Sequence, residues 1–245
     1  MEFFGLTAAE AIVVLLAALA GGAIRGFTGF GSALVIAPIL SIAVGSRIAV
    51  PAIILVLFFS TFQLLPGAAR DVNWRRVLQL GLAGAAGAPI GVYGLIYIDQ
   101  ELMRRFIAVV VAAFAIAMLA GWRYQRAPSP FMAIGVGGVG GVLSGAASVG
   151  GPPVILFLLA GPGAAAANRA AIIYYFFFSQ IVVLGMYWFE GVMVVKVLWL
   201  AVLMLPAQMI GVAIGTKLFP KANETLYRRV ALGVLLTIGL VTLVI

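Results

Sequence analysis

Apolar residues run along this chain in long blocks, broken at intervals by glycine, proline and small clusters of charge. Ten apolar segments can be marked, about 7–24, 32–44, 48–66, 76–98, 102–122, 131–147, 153–161, 168–189, 194–216 and 225–245. Several hold about 20 residues, enough for a helix to cross a hydrocarbon core of about 30 Å. Two are too short for that. At about 1.5 Å per residue, segment 32–44 reaches roughly 20 Å and segment 153–161 roughly 13 Å. Each short segment follows a glycine-rich stretch and leads into a short connector, Gly45-Ser-Arg47 or Gly161-Pro-Gly163. The pattern predicts an all-α polytopic membrane protein with about 8–10 membrane segments, in which broken or re-entrant helices occur in each half.

The first glycine-rich stretch runs from Gly21 to Pro38 and carries three polar side chains, Arg25, Thr28 and Ser32. A continuous membrane helix has no use for such a centre. Glycine weakens a helix, and an arginine at membrane depth costs roughly 2.5–3.5 kcal/mol on insertion scales. The second stretch, from Leu143 to Leu156, lies over Ile24 to Ala37 without gaps. Gly26 then falls on Gly145, Gly31 on Gly150, Ser32 on Gly151 and Arg25 on Ser144. Paired glycine-interrupted segments in corresponding halves are the sequence mark of a transporter's binding site.

Further matches follow in the same order: Phe58-Phe-Ser60 with Phe177-Phe-Ser179, Ala88-Pro-Ile-Gly91 with Gln208-Met-Ile-Gly211, and Leu102–Phe106 with Leu226–Val230. The chain therefore reads as two transmembrane repeats, 1–126 and 127–245. An odd number of crossings in each repeat inverts the second relative to the first. Parity is unchanged if the first two segments of each half form a re-entrant hairpin. Lys and Arg support it. With Arg25 set aside, alternate loops hold ten basic residues on one side and four on the other. The positive-inside rule then places loops 67–75, 123–130 and 217–224 in the cytoplasm and both termini in the periplasm.

Composition narrows the chemistry. The 245 residues are 64% hydrophobic and 9% charged, against about 25% charged in a soluble domain. No room is left for a separate soluble domain. The start, Met-Glu-Phe-Phe-Gly, lacks the basic n-region of a cleavable signal. The net charge of +8 sits mostly at segment ends, where it orients the chain and meets anionic lipid rather than nucleic acid. Cysteine and histidine are absent, and no acid lies mid-segment, Glu10 being the deepest. Neither a metal site, a cofactor, a carboxylate proton relay nor a catalytic constellation is expected, so the chain does not read as an enzyme. Trp74, Trp122, Trp188, Tyr97 and Tyr124 fall near segment ends, as interfacial belt residues do. Tyr174 and Tyr175 lie deeper and are expected to pack between helices, with a pathway role as the alternative.

What remains at depth suits an anion. A broken helix turns backbone N–H groups and a partial positive charge toward the break. Gly29, Gly31, Gly150 and Gly151 let a ligand approach the backbone. Thr28, Ser32, Ser144 and Ser148 offer hydroxyls, and Arg25 offers a charged planar fork. Asn168 follows the second short segment and is either a helix N-cap or a further site residue. The competing readings are close helix packing for the glycines and snorkelling to the interface for Arg25.

Gly26-Phe-Thr-Gly-Phe-Gly-Ser-Ala-Leu-Val-Ile-Ala-Pro38, its second copy Gly145-Ala-Ala-Ser-Val-Gly-Gly-Pro-Pro153 and the duplicated layout resemble the sulfite exporter TauE/SafE family, also called the 4-toluene sulfonate uptake permease family. The similarity spans nearly the whole chain. Many members carry three glycines where this chain has Gly31-Ser32-Ala33. The resemblance implies a multi-pass transporter of the bacterial inner membrane that exports sulfite or a small organosulfonate. Its expected partners are that anion and membrane lipid, with homo-oligomerisation left open. An uptake permease for another small organic anion and an anion channel are the alternatives.

Overall fold

The computed structural model describes residues 6–99, 129–148, 150–160 and 164–221, with a few isolated positions beyond them. The predicted segments 102–122 and 225–245 lie outside the described residues, as do loop 123–128 and the N-terminal five residues. The described elements are all helical: α1 (Ala8–Thr28), α2 (Ser32–Val44), α3 (Ser46–Thr61), α4 (Leu65–Ala68), α5 (Trp74–Tyr97), α6 (Pro130–Ala147), α7 (Gly151–Ala160), α8 (Ala165–Phe189) and α9 (Val195–Leu218), the last followed by a short 3₁₀ turn, Phe219–Lys221. Five of these stretches are long and apolar enough to cross a membrane, Ala8–Thr28, Trp74–Tyr97, Pro130–Ala147, Ala165–Phe189 and Val195–Lys221.

Local chemistry explains where the helices start and stop. Thr7 and Glu10 form a reciprocal capping box at the head of α1, which occupies the deepest acid of the chain with a cap. Asn73 caps α5 through Arg76 N, and Ser129 caps α6 through Met132 N, followed by Pro130 in the first turn. α1 does not stop at residue 24. It continues through Gly26 and ends where Gly29 turns left-handed at φ 89°. The corresponding stop of α6 is Ser148, the one non-glycine residue with positive φ among those described, at 61°.

Two helix pairs form the frame. Gly22 of α1 faces the Gln208 carbonyl of α9, and Gly26 faces Val212 and Thr216. In return Gly211 and Gly215 of α9 face the carbonyls of Leu19 and Ala23. Numbering rises together along both helices, so they run parallel with backbones in contact. α5 and α6 repeat the arrangement: Gly141 faces Gly84, Gly145 faces Ala88 and Val92, and Gly91 faces Val142 and Ala146. The recurrence also corrects one register. Gly91 meets Val142 and Ala146 as Gly215 meets Ala23 and Phe27. The packing equivalent of Ala88–Gly91 is therefore Val212–Gly215, one turn beyond the Gln208–Gly211 match drawn from sequence.

Between these pairs lie α2, α3, α7 and α8. α2 starts deep in the protein, with Ser32 against Gly21 and Gln208. α8 begins earlier than predicted, with Ala164 rather than Asn168 as its N-cap. Asn168 and Arg169 consequently lie inside the helix and are buried. Arg169, counted above among the loop charges, reaches across to the end of α1. Its Nε donates to the Phe27 carbonyl at 3.1 Å and its NH2 donates to the Gly26 carbonyl, while the guanidinium lies 4.4 Å from the Phe219 ring centre. These are last-turn carbonyls that a terminating helix leaves unpaired and that lipid cannot satisfy. Without Arg169 the loop tally becomes nine against four, and its asymmetry survives. Tyr175 packs as expected, its hydroxyl donating to the Gly137 carbonyl at 3.2 Å, and Tyr174 lies against Trp74 at 4.9 Å.

Two stability outcomes follow. Gly215→Ala drives a Cβ into the Ala23 carbonyl, whereas Gly185 has open space. Thermal unfolding in detergent should show Gly215→Ala less stable by about 1–3 kcal/mol and Gly185→Ala unchanged or slightly stabilised. Arg169→Met should cost about 3 kcal/mol in the same assay, because the end of α1 loses charged donors to two buried carbonyls.

Candidate functional site

The ends of α1 and α6 and the starts of α2 and α7 converge on one small cavity in the interior. Arg25, Phe30, Gly31, Ala33 and Leu34 line it from the first glycine-rich stretch. Ser148 and Gly151 line it from the second, and Leu57 of α3 and Phe176 of α8 complete it. Its volume is about 10 Å³, room for roughly one water-sized group. A larger ligand must displace lining side chains, of which Phe30, Leu34, Leu57 and Phe176 are the large apolar ones.

Arg25 is 1% exposed. Its NH2 donates to Thr61 Oγ1 at 2.6 Å and, at 3.4 Å, to the Leu57 carbonyl. Both acceptors are uncharged. Its Nε is buried with no acceptor among the described residues. Phe176 sits 5.9 Å from the guanidinium carbon. Removing a guanidinium from water without a counter-charge is costly, so this geometry does not fit a side chain snorkelling to an interface. Thr61 itself donates to the Leu57 carbonyl at 2.7 Å and stands 3.2 Å from Gln180 Oε1.

Of the ten predicted site residues, Arg25, Gly31, Ser148 and Gly151 line the cavity. The other six do not. Thr28 spends its hydroxyl on closing α1, with Ile24 O and Phe30 O both at 2.8 Å. Gly29 makes the left-handed turn and packs on Arg169. Ser32 opens α2, and its Oγ accepts from Gln208 Nε2 at 2.6 Å. Ser144 and Gly150 press together, so that a Cβ on Gly150 would strike the Ser144 hydroxyl. Ser148 donates to the Val50 carbonyl at 3.3 Å. Asn168 is buried in the first turn of α8, outside the cavity lining.

Sequence reasoning did not find Thr61, Leu57, Phe176 or Gln208. Phe176 and Leu57 carry no polar signal. Gln180 of α8 accepts from Thr61 of α3, and nothing along the chain names these two as partners. Among the described residues no group of His, Cys, Asp and Glu suits a metal ion.

The chain matches the family model described as Sulfite exporter TauE/SafE over residues 14–242. Searches of curated proteins and of solved structures gave no match. The family match covers nearly the whole length, including both glycine-rich stretches and every lining residue of the cavity. This protein belongs to the TauE/SafE sulfite exporter family, a family of membrane transporters of sulfite- and sulfonate-type anions rather than of enzymes.

Proposed function

We propose that this protein is a secondary transporter that exports sulfite or a small organosulfonate, held in the cavity between the starts of α2 and α7. One observation carries the reading: Arg25 is a buried cation at that cavity, its acceptors are neutral, and its Nε is unoccupied. An anion supplies the missing charge and acceptor. The N-terminal turns at Ser32 and Gly151 add partial positive charge and backbone N–H donors from two directions. Ser148 adds a hydroxyl at the cavity wall.

Two inverted repeats, 1–126 and 127–245, best account for the packing. Phe58 stacks on Phe177 with planes 6° apart, and Thr61 contacts Gln180. Each pair is 119 residues apart, the spacing that lays the first glycine-rich stretch on the second. Residues that meet their own counterparts are those a two-fold axis passes between. With the axis in the membrane plane, α1 with α2 enters from one side and α6 with α7 from the other, both broken at the cavity. Arg47, whose NH2 donates to the Ile96 carbonyl at 2.8 Å, marks the periplasmic face, and residues 67–75 mark the cytoplasmic one in the bacterial inner membrane. With no acid at depth, the coupling proton travels on the substrate or the flux is simply downhill.

Sulfite efflux from proteoliposomes tests the site. Arg25→Gln should lower the rate by about tenfold or more, as expected for losing a charged hydrogen bond to the ligand. Normal flux in the folded variant would overturn it. Sidedness is accessible because the chain is free of cysteine. A membrane-impermeant thiol reagent applied to cells should label Gly191→Cys and spare Asp71→Cys; the reverse pattern would turn the topology over.

A further inference from the structure

Arg25 is held in place by Thr61 of α3, which also contacts Gln180 of α8. Leu57 and Thr61 are one turn apart on α3, and Phe176 and Gln180 are one turn apart on α8. The first residue of each pair lines the cavity. The second residues contact one another, Thr61 Oγ1 to Gln180 Oε1 at 3.2 Å. All of Thr61, Gln180 and Arg25 are at most 1% exposed. Thr61 is fully committed, accepting from Arg25 and donating within α3 or to Gln180. Gln180 is only half committed, since its Nε2 is buried without a partner. The row Arg25–Thr61–Gln180 therefore joins α1, α3 and α8 and ends in an unused amide donor.

We propose that Thr61 and Gln180 are positioning residues for Arg25 that set the affinity of the transported anion, which rests on the anion-site reading above. Thr61 holds one end of the guanidinium against α3, leaving Nε turned to the anion. Gln180 is the neutral member that keeps Arg25 without a counter-charge of the protein's own. An amide at position 180 tolerates a cation two contacts away, whereas a carboxylate there would compete with the anion for it. The choice of glutamine over glutamate is thus part of the anion selectivity.

The test compares sulfite transport kinetics of Thr61→Val, Thr61→Ser, Gln180→Glu and Arg25→Gln in proteoliposomes, with thermal stability measured on each purified protein. Thr61→Val should raise the KM for sulfite roughly tenfold with a smaller change in maximal rate, and Thr61→Ser should restore it. Gln180→Glu keeps the side-chain size and supplies a competing charge. Its KM should rise by a similar factor or more while its stability is unchanged or improved. A purely structural role predicts the opposite, lost stability with unchanged KM, and that result overturns the proposal. If Arg25→Gln transports normally, the anion site itself is wrong and the positioning role falls with it. If Arg25→Gln fails while Thr61→Val and Gln180→Glu keep the wild-type KM, only the positioning role is overturned.

Discussion

Backbone-to-backbone contact between helices is the constraint on which this molecule depends. In a membrane, apolar side chains gain little from exchanging lipid tails for one another, so helix association rests on close packing. Here α1 lies on α9 and α5 on α6 with glycine facing carbonyl at successive turns, an approach that a single methyl group would block. The two contacts are long and directional. They set each pair parallel and in one register, with α2 packed on α1 and α3, and α7 packed on α6 and α8.

A helix that ends inside a membrane leaves carbonyls that water cannot reach, and one that begins there leaves N–H groups in the same condition. The protein treats the two kinds of end differently. The closing carbonyls of α1 are satisfied by protein groups, Arg169 from α8 and Thr216 from α9. The openings of α2 and α7 instead face the cavity through Gly31 and Gly151. Negative ends are sealed and positive ends are offered, which is the electrostatic arrangement an anion requires.

Two buried arginines with the same chemistry thus serve opposite ends. Arg169 is spent on carbonyls and an aromatic face and belongs to the scaffold. Arg25 has neutral acceptors for its NH2 and none for its Nε, so among the described residues its charge has no counter-charge. The distinction lies wholly in what each reaches, since both interrupt apolar sequence in similar ways. It also explains why the loop-charge count tolerated one error: Arg169 was assigned to the basic side, and removing it left the asymmetry in place.

The membrane class, the helical nature of the described segments and the family resemblance were legible along the chain, because each depends on neighbouring residues. Apolar length determines spanning, glycine with Thr28 determines where α1 stops, and Thr7, Asn73 and Ser129 determine where helices start. The absence of histidine, cysteine and deep acids likewise excluded most chemistry before any folding was considered. Tertiary structure alone decided the rest. That Thr61 receives Arg25, that Ser32 receives Gln208, that α9 packs one turn beyond the matched letters, and that Arg169 is buried all depend on residues far apart in sequence. Local propensity carries no information on such meetings. They are set by how closely two backbones approach, and that distance exists only once the helices have packed.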